Sequence, residues 1–349
     1  MKWKKTLVNG HASIREAIRV IDASSQQIGL VVDEGECLLG TVTDGDIRRA
    51  ILAGMDMGGP VERIMNTSPR VGGQMEPRAS LLARMAEAQI HQIPIVDANG
   101  RVTGLTSIEE LVGAQEVPAN WVVLMAGGLG KRLRPLTENA PKPLLPVGKK
   151  PLLETILENF IHQDFRKFYI SVNYKGQMIK DHFGDGRKWN VEIRYLDEDR
   201  QLGTAGALRL IPERPQSPLI VMNGDLLTRV NFRHLLDYHA QHQSTATMCV
   251  RQYDLQVPFG VVHIDGDHIR KIDEKPVHSF FVNAGIYVLD PGVIDSIPAG
   301  DLFHMTTLFE RVIEAGGKTA VFPIHEYWLD VGRIDDLDKA NGEFDDVFS

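Results

Sequence analysis

Residues 124–148 read LMAGGLGKRLRPLTENAPKPLLPVG. An apolar run from Trp121 to Ala126 leads into this stretch and predicts a buried strand. Gly127, Gly128 and Gly130 follow directly. Glycines at such a point let the backbone approach a ligand closely, with its N–H groups turned outward. Lys131, Arg132 and Arg134 come next, and Lys142 stands between Pro141 and Pro143. Amide dipoles and several cations in one short loop suit a polyphosphate. The spacing excludes two familiar phosphate loops. Gly130-Lys131 is followed by Arg132 instead of Ser or Thr, so the Walker pattern is missing. Leu133 stands where a dinucleotide fingerprint needs its third glycine, and Pro135 stops a helix from running on.

Beyond this loop, strand and helix patterns alternate. Leu152, Leu153, Ile156, Leu157 and Phe160 have helical spacing, and Phe168 to Val172 reads as a strand. Ile179 to Phe183 reads as a helix ending at Gly184, and Val191 to Leu196 as the next strand. The alternation predicts an α/β, Rossmann-like three-layer domain with a mixed, mostly parallel sheet. Ligands of such sheets bind outside the carboxyl ends of the strands, where the glycine loop sits. Six later stretches carry chemistry. Small residues, Gly203-Thr204-Ala205-Gly206, follow Glu198 and Gln201 and leave room for a flat ligand at a helix start. Asn223-Gly224-Asp225 closes the apolar strand Leu219 to Met222, a position suited to holding a cation. Phe259-Gly260-Val261-Val262 and Ile272-Asp273-Glu274-Lys275-Pro276 precede Val282 to Leu289, a strand carrying Asn283 and Gly285 within an apolar run. The last is Tyr327-Trp328-Leu329-Asp330-Val331-Gly332.

The string from Gly127 to Leu144 resembles the signature of the sugar-phosphate nucleotidyltransferases, GGxGxRLxPLT followed by PKPL, with Lys131 where that family more often has Thr. The resemblance implies transfer of a nucleoside monophosphate to a sugar 1-phosphate, with nucleoside triphosphate and sugar 1-phosphate as ligands and Mg²⁺ as cofactor. It implies that Leu124, Ala126, Gly127, Gly128, Gly130, Lys131, Arg132, Gln201, Gly203 and Thr204 bind the nucleotide. By the same likeness Arg132 and Lys142 are catalytic, and Lys142, Gly260, Glu274, Lys275 and Asn283 hold the sugar phosphate. Asp225 and Asp330 would hold the metal. The LGTAGAL, VNAGIYVL and WLDVG strings are most similar to the guanylyltransferase branch, which serves mannose, heptose and amino-sugar 1-phosphates. GTP with a hexosamine or mannose-type sugar is therefore expected. UTP-dependent uridylyl transfer and a nucleotide sensor with an inactive transferase-like domain are the alternatives. No hexapeptide-repeat stretch follows, so a bifunctional acetyltransferase is not expected.

Residues 1–117 carry an internal repeat, about 6–58 and 62–113, ahead of an expected transferase domain over 118–349. Ser13 and Glu16 open a helix with a capping box, followed by strands Ile28 to Val32 and Leu38 to Val42. The order recurs with a helix near Ser80 to Ala86 and strands Ile93 to Val96 and Val102 to Leu105. Such a tandem resembles a CBS-domain pair. That family reaches ribose hydroxyls through Thr or Ser followed three residues later by Asp. Thr43 and Asp46 match; Thr106 and Glu109 are taken as their counterparts, with Glu replacing Asp. Binding of an adenine nucleotide and a purely structural, dimer-forming role both remain open. The resemblance implies at least a homodimer. Gly113 to Ala119 reads as a linker.

Composition narrows the partners. The chain has 349 residues, 43% of them hydrophobic and 24% charged, which is enough for a folded core and allows about two domains. A net charge of -8 argues against nucleic acid or an anionic membrane as partner. Cys37 and Cys249 lie far apart without metal-ligand spacing, as expected of a reduced, cytoplasmic protein. Lys2, Lys4 and Lys5 are followed by no apolar signal-peptide stretch.

Overall fold

A computed structural model describes residues 2–24, 26–112 and 117–348. The chain divides into two compact units, Met1–Glu116 and Val117–Ser349. Residues 113–116 of the expected linker lie outside the described residues.

The first unit contains the same motif twice. Its first half runs β1 (Leu7–Asn9), α1 (Ile14–Ser24), β2 (Ile28–Val32), β3 (Leu38–Thr43) and α2 (Asp44–Leu52). The second runs β4 (Gly72–Gly73), α3 (Arg78–Ala88), β5 (Gln92–Val96), β6 (Val102–Ser107) and α4 (Ile108–Val112). In each half the first strand is parallel and the third antiparallel to the middle one. Each half also has a register shift at the same place, Val31/Val32 and Ile95/Val96. The capping box expected at α1 is formed: the Glu16 carboxylate accepts from Ser13 N–H at 2.7 Å, and Ser13 Oγ accepts from Glu16 N–H at 3.2 Å.

The repeat register corrects one expectation. Gly40 stands opposite Val31 and Gly104 opposite Ile95, so Thr43, opposite Ile28, is equivalent to Ser107, opposite Gln92. Ser107 Oγ accepts from Glu110 N–H at 3.3 Å, as Thr43 Oγ1 accepts from Asp46 N–H at 3.3 Å. The second-repeat counterparts of Thr43 and Asp46 are therefore Ser107 and Glu110, not Thr106 and Glu109. Thr106 is an ordinary strand residue opposite Ile93. The Glu109 side chain lies outside the described residues.

The second unit is a three-layer α/β domain. Its strands are β7 (Trp121–Met125), β8 (Pro146–Val147), β9 (Lys150–Pro151), β10 (Lys167–Val172), β11 (Glu192–Asp197), β12 (Leu219–Asn223) and β13 (Leu226–Thr228). They continue with β14 (Ala246–Gln256), β15 (Val261–Asp265), β16 (His268–Asp273), β17 (Val277–Leu289), β18 (Thr319–Ile324) and β19 (Trp328–Asp330). The helices are α5 (Leu152–His162), α6 (Gly176–Phe183), α7 (Phe232–Gln241), α8 (Met305–Glu314) and α9 (Ile334–Phe348). The central sheet has the order β11-β10-β7-β12-β17-β14-β18, and only β17 runs against its neighbours.

Strand residues alternate between two cores, as a sheet covered on both faces requires. Val122, Leu124, Ile220 and Met222 join the core that also contains residues of α5, α6, α7 and α9. Val123, Leu219, Val221 and Tyr287 join the one under α8. Phe160 anchors the first core: its ring stacks on Phe232 with centroids 3.8 Å apart and meets Phe165 edge-on at 5.6 Å. Among the described residues, no helix is long and apolar enough to cross a membrane.

Phe160 is fully buried, so Phe160→Ala should cost about 3–5 kcal/mol. Urea unfolding followed by tryptophan fluorescence checks this; a midpoint matching wild type would remove Phe160 from the core's main support.

Candidate active site

The carboxyl ends of β7 and β12 build the floor of the site. Gly224 N–H donates to Met125 O at 2.8 Å, tying the end of β12 to the end of β7. A Cβ at Gly224 would stand 2.7 Å from that oxygen, so the glycine makes the approach possible. Just beyond, β13 pairs antiparallel with β19, with Leu226 opposite Asp330. Val331 N–H donates to Asp225 O at 3.0 Å. This short ladder brings two acids from distant parts of the chain together.

Two cations face those acids. Lys142 is held in a short 3₁₀ turn, Lys142–Leu144, between Pro141 and Leu145. Its side chain is largely buried, and Nζ lies 2.5 Å from Asp225 Oδ2. Arg132 reaches over Gly332: a Cβ there would lie 3.5 Å from one guanidinium nitrogen and 3.6 Å from Asp330 Oδ1. Burial, and next the Asp225 charge, hold the Asp330 carboxyl above the usual carboxylate range, against the opposing pull of Lys142 and Arg132. Asp330 Oδ1 is buried without a hydrogen-bond partner. A buried carboxylate oxygen without a donor, beside a second carboxylate, fits a divalent cation.

The glycine loop is rooted in the core. Leu124 is wholly buried, and β10 and β12 pair on either side of it. Its side chain supports the turn and is closed to a ligand; Ala126 is buried as well. Gly130 has φ of +61°, and Thr137 Oγ1 donates to its carbonyl at 2.9 Å. Lys131 and Arg132 are exposed, and Gly128 faces open space.

Gly127 has a reason the sequence did not reveal. A Cβ there would stand 2.5 Å from Glu198 Oε1. Burial pushes the Glu198 carboxyl up, while bonds from Leu202 N–H, at 3.1 Å to Oε2, and from Ser171 oppose the shift. Within the sequence Glu198 reads as one of three turn acids, Asp197 to Asp199; only the fold turns it inward beneath the loop.

The small residues 203–206 also have a packing cause. A Cβ on Gly203 would stand 2.6 Å from Phe303 O, and one on Gly206 3.1 Å from Asp301 O. Residues 206–210 form a 3₁₀ segment in place of the expected helix start. Thr204 Oγ1 accepts from Met305 N–H at 2.9 Å and so caps α8. Gln201 is exposed beside them.

Apart from Lys142, the sugar-phosphate candidates lie along the β14–β17 arm or at its base. Gly260, Glu274 and Lys275 are exposed on the long β14–β17 arm, with Glu274 Oε2 3.0 Å from where a Gly260 Cβ would sit. Asn283 stands where β17 enters the sheet, and its Oδ1 accepts from Gly285 N–H at 2.9 Å. In the first unit, the Asp46 carboxylate accepts from Thr43 N–H at 2.8 Å, from the Thr43 hydroxyl at 2.6 Å and from Arg49 at 2.5 Å. A ribose arriving there would have to exchange with these partners.

Comparison with known proteins gives this geometry a context. The profile of the family described as "Nucleotidyl transferase" matches residues 121–346, and that of the CBS domain matches 4–53 and 61–116. The mannose-1-phosphate guanyltransferase of Pichia angusta is 34% identical over 224 residues, covering 62% of this chain and 61% of the relative. The UTP--glucose-1-phosphate uridylyltransferase of Synechocystis sp. is 30% identical over 238 residues, with shares of 62% and 61%. The chain thus spans about three fifths of the length of these curated relatives. The crystal structure of HddC from Yersinia pseudotuberculosis complexed with GMP-PN is similar at a TM-score of 0.52 and 26% identity, covering 64% of this chain and 99% of that one.

Asp330 allows a sharp test. For an acid with a raised folded pKa, the stability penalty is absent below the ordinary carboxylate range and full above the raised value. The metal-free protein should therefore lose stability as pH rises through that window. In EDTA, Asp330→Asn should melt at or above wild type, and it should lose the upward shift that MgCl₂ gives wild type. Equal MgCl₂ shifts in both proteins, read by differential scanning fluorimetry, would remove Asp330 from the metal site.

Proposed function

The chain belongs to the nucleotidyl transferase family, and from that premise we propose that it transfers GMP from GTP to a mannose- or hexosamine-type sugar 1-phosphate, releasing pyrophosphate. The convergence of Asp225, Asp330, Lys142 and Arg132 carries this reading. The guanyltransferase named among its relatives supports the base and the sugar class.

The chemistry follows from charge. An oxygen of the sugar phosphate attacks the α-phosphorus, the α–β bridging P–O bond breaks, and pyrophosphate departs with the electron pair. The nucleophile is already ionised at neutral pH, so the chain need supply neither a general base nor a covalent nucleophile. The obstacle is repulsion between two polyanions. Arg132 meets the leaving phosphates. Lys142 moves from Asp225 to the phosphate oxygens, and Lys275 brings a further cation to the attacking phosphate. Asp225 and Asp330 would hold Mg²⁺, which when bound supplies Lewis-acid neutralisation of phosphate oxygens.

Glu198 supports guanine as the base. Guanine offers two adjacent donors, N1–H and N2–H, which one carboxylate can accept together. Uracil offers one N–H flanked by acceptors that a carboxylate repels. Uridylyl transfer is the second reading, favoured by the Synechocystis relative. An adenine nucleotide on the CBS pair, at Thr43 and Asp46, belongs to the proposal as a regulatory ligand.

Pyrophosphate release from a panel of triphosphates and sugar 1-phosphates should be greatest with GTP. Release with UTP alone would establish the second reading, and none with any pair would leave a sensor. Lys142→Ala should slow turnover by about a hundredfold or more, and Asp225→Asn should abolish Mg²⁺-dependent release. Glu198→Gln should lower kcat/KM for GTP about tenfold or more, the cost of a lost charge-assisted bond, with UTP changed far less. Equal losses for both nucleotides would reject base selection by Glu198.

A further inference from the structure

The outer parts of β14 and β17, with β15 and β16 beyond them, form a two-stranded arm interrupted once. Paired residues run outward from Val250 opposite Asn283 to Gln256 opposite Val277. Val257 N–H donates to Pro276 O at 3.0 Å, and pairing resumes from Val261 opposite Asp273 to Asp265 opposite His268. A lone two-stranded ribbon is marginal in water and needs an apolar face covered.

This arm has such a face, and it is bare. On the outer ribbon Val262, Ile264, Ile269 and Ile272 share one side, while His263, Lys271 and Asp273 occupy the other. On the inner ribbon Tyr253, Leu255 and Phe280 share a side. Together with Phe259 these side chains are between 47% and 73% exposed. At about 100 Å² each, half of what a large side chain offers, the eight leave roughly 800 Å² uncovered, the share each partner gives to a standard interface.

We propose that the arm is a homodimerisation element, in which a second copy of this chain lays its own arm against these apolar faces. The area is one reason; charge is another. Charges on the polar side pair with one another: Lys271 lies 2.6 Å from Asp273, His263 2.8 Å from the same carboxylate, and Arg270 3.8 Å from Asp265. Along the whole arm Asp254, Asp265, Asp267, Asp273 and Glu274 nearly balance Arg270, Lys271 and Lys275, so it offers only a weak field to a strongly charged partner, and an identical copy needs none. The interruption in the ribbon carries Gly260, Glu274 and Lys275, so the contact would steady those residues too. The inference does not depend on the transferase reading.

Spin labels on Arg270→Cys in a Cys37→Ser background of the full chain test it; the remaining Cys249 is buried. Pulsed dipolar spectroscopy should show an intermolecular signal that disappears when Ile264→Glu and Ile269→Glu are added. The milder pair Ile264→Thr and Ile269→Thr, which keeps β-branching, should raise the dimer dissociation constant about tenfold or more in sedimentation, since four apolar groups are lost per dimer. Absence of the signal, its survival in the double glutamate variant, or an unchanged dissociation constant in the threonine pair would overturn the proposal. Dimers joined only elsewhere in the chain would give that last result.

Discussion

The antiparallel pairing of β13 with β19 is the constraint on which the candidate site depends. It spans three residues on each strand, yet it sets Asp330 beside the end of β12 and next to Asp225. Two carboxylates so placed repel each other, and the fold tolerates them because Lys142 neutralises one and Arg132 approaches the other. The site is therefore destabilising by itself where both acids are ionised, and a bound cation or protonation of Asp330 would relieve the penalty. This is the usual relation between a poised site and the scaffold that pays for it.

Two kinds of glycine surround the site, and they differ in what they admit. Gly224 and Gly127 give way to the protein's own atoms, a backbone carbonyl and the Glu198 carboxylate. Gly128 faces open space and can give way to a ligand. Gly203 and Gly206 belong with the first kind, since the Asp301–Phe303 backbone fills the room they leave. Close packing of this kind fixes the backbone around the glycines.

Much of this was legible because signals of different kinds agreed. The apolar run into Gly127, the cations behind it and the alternation of strand and helix all indicated a ligand loop at a sheet edge. The Ser13–Glu16 capping box was readable because it is local. What escaped was set by register or by distant packing. Thr106 and Ser107 are adjacent hydroxyl residues, and only the strand pairing of Gly104 with Ile95 shows which one caps the helix. Glu198 was legible only as a neighbour of the small-residue stretch, because nothing local says that it faces a glycine some seventy residues earlier. The arm's apolar side was equally hidden, since alternating valine and isoleucine predict a covered face without naming the cover.

The order of the site's parts along the chain has a consequence for its biosynthesis. Arg132, Lys142 and Asp225 leave the ribosome well before Asp330, and α9, whose Asn341 side chain accepts from Gly148 N–H, follows later still. A nascent chain that has already folded its glycine loop still lacks the second carboxylate. The pair of carboxylates is therefore completed late in translation, and a product truncated before Asp330 would carry the glycine loop and Asp225 without the second acid.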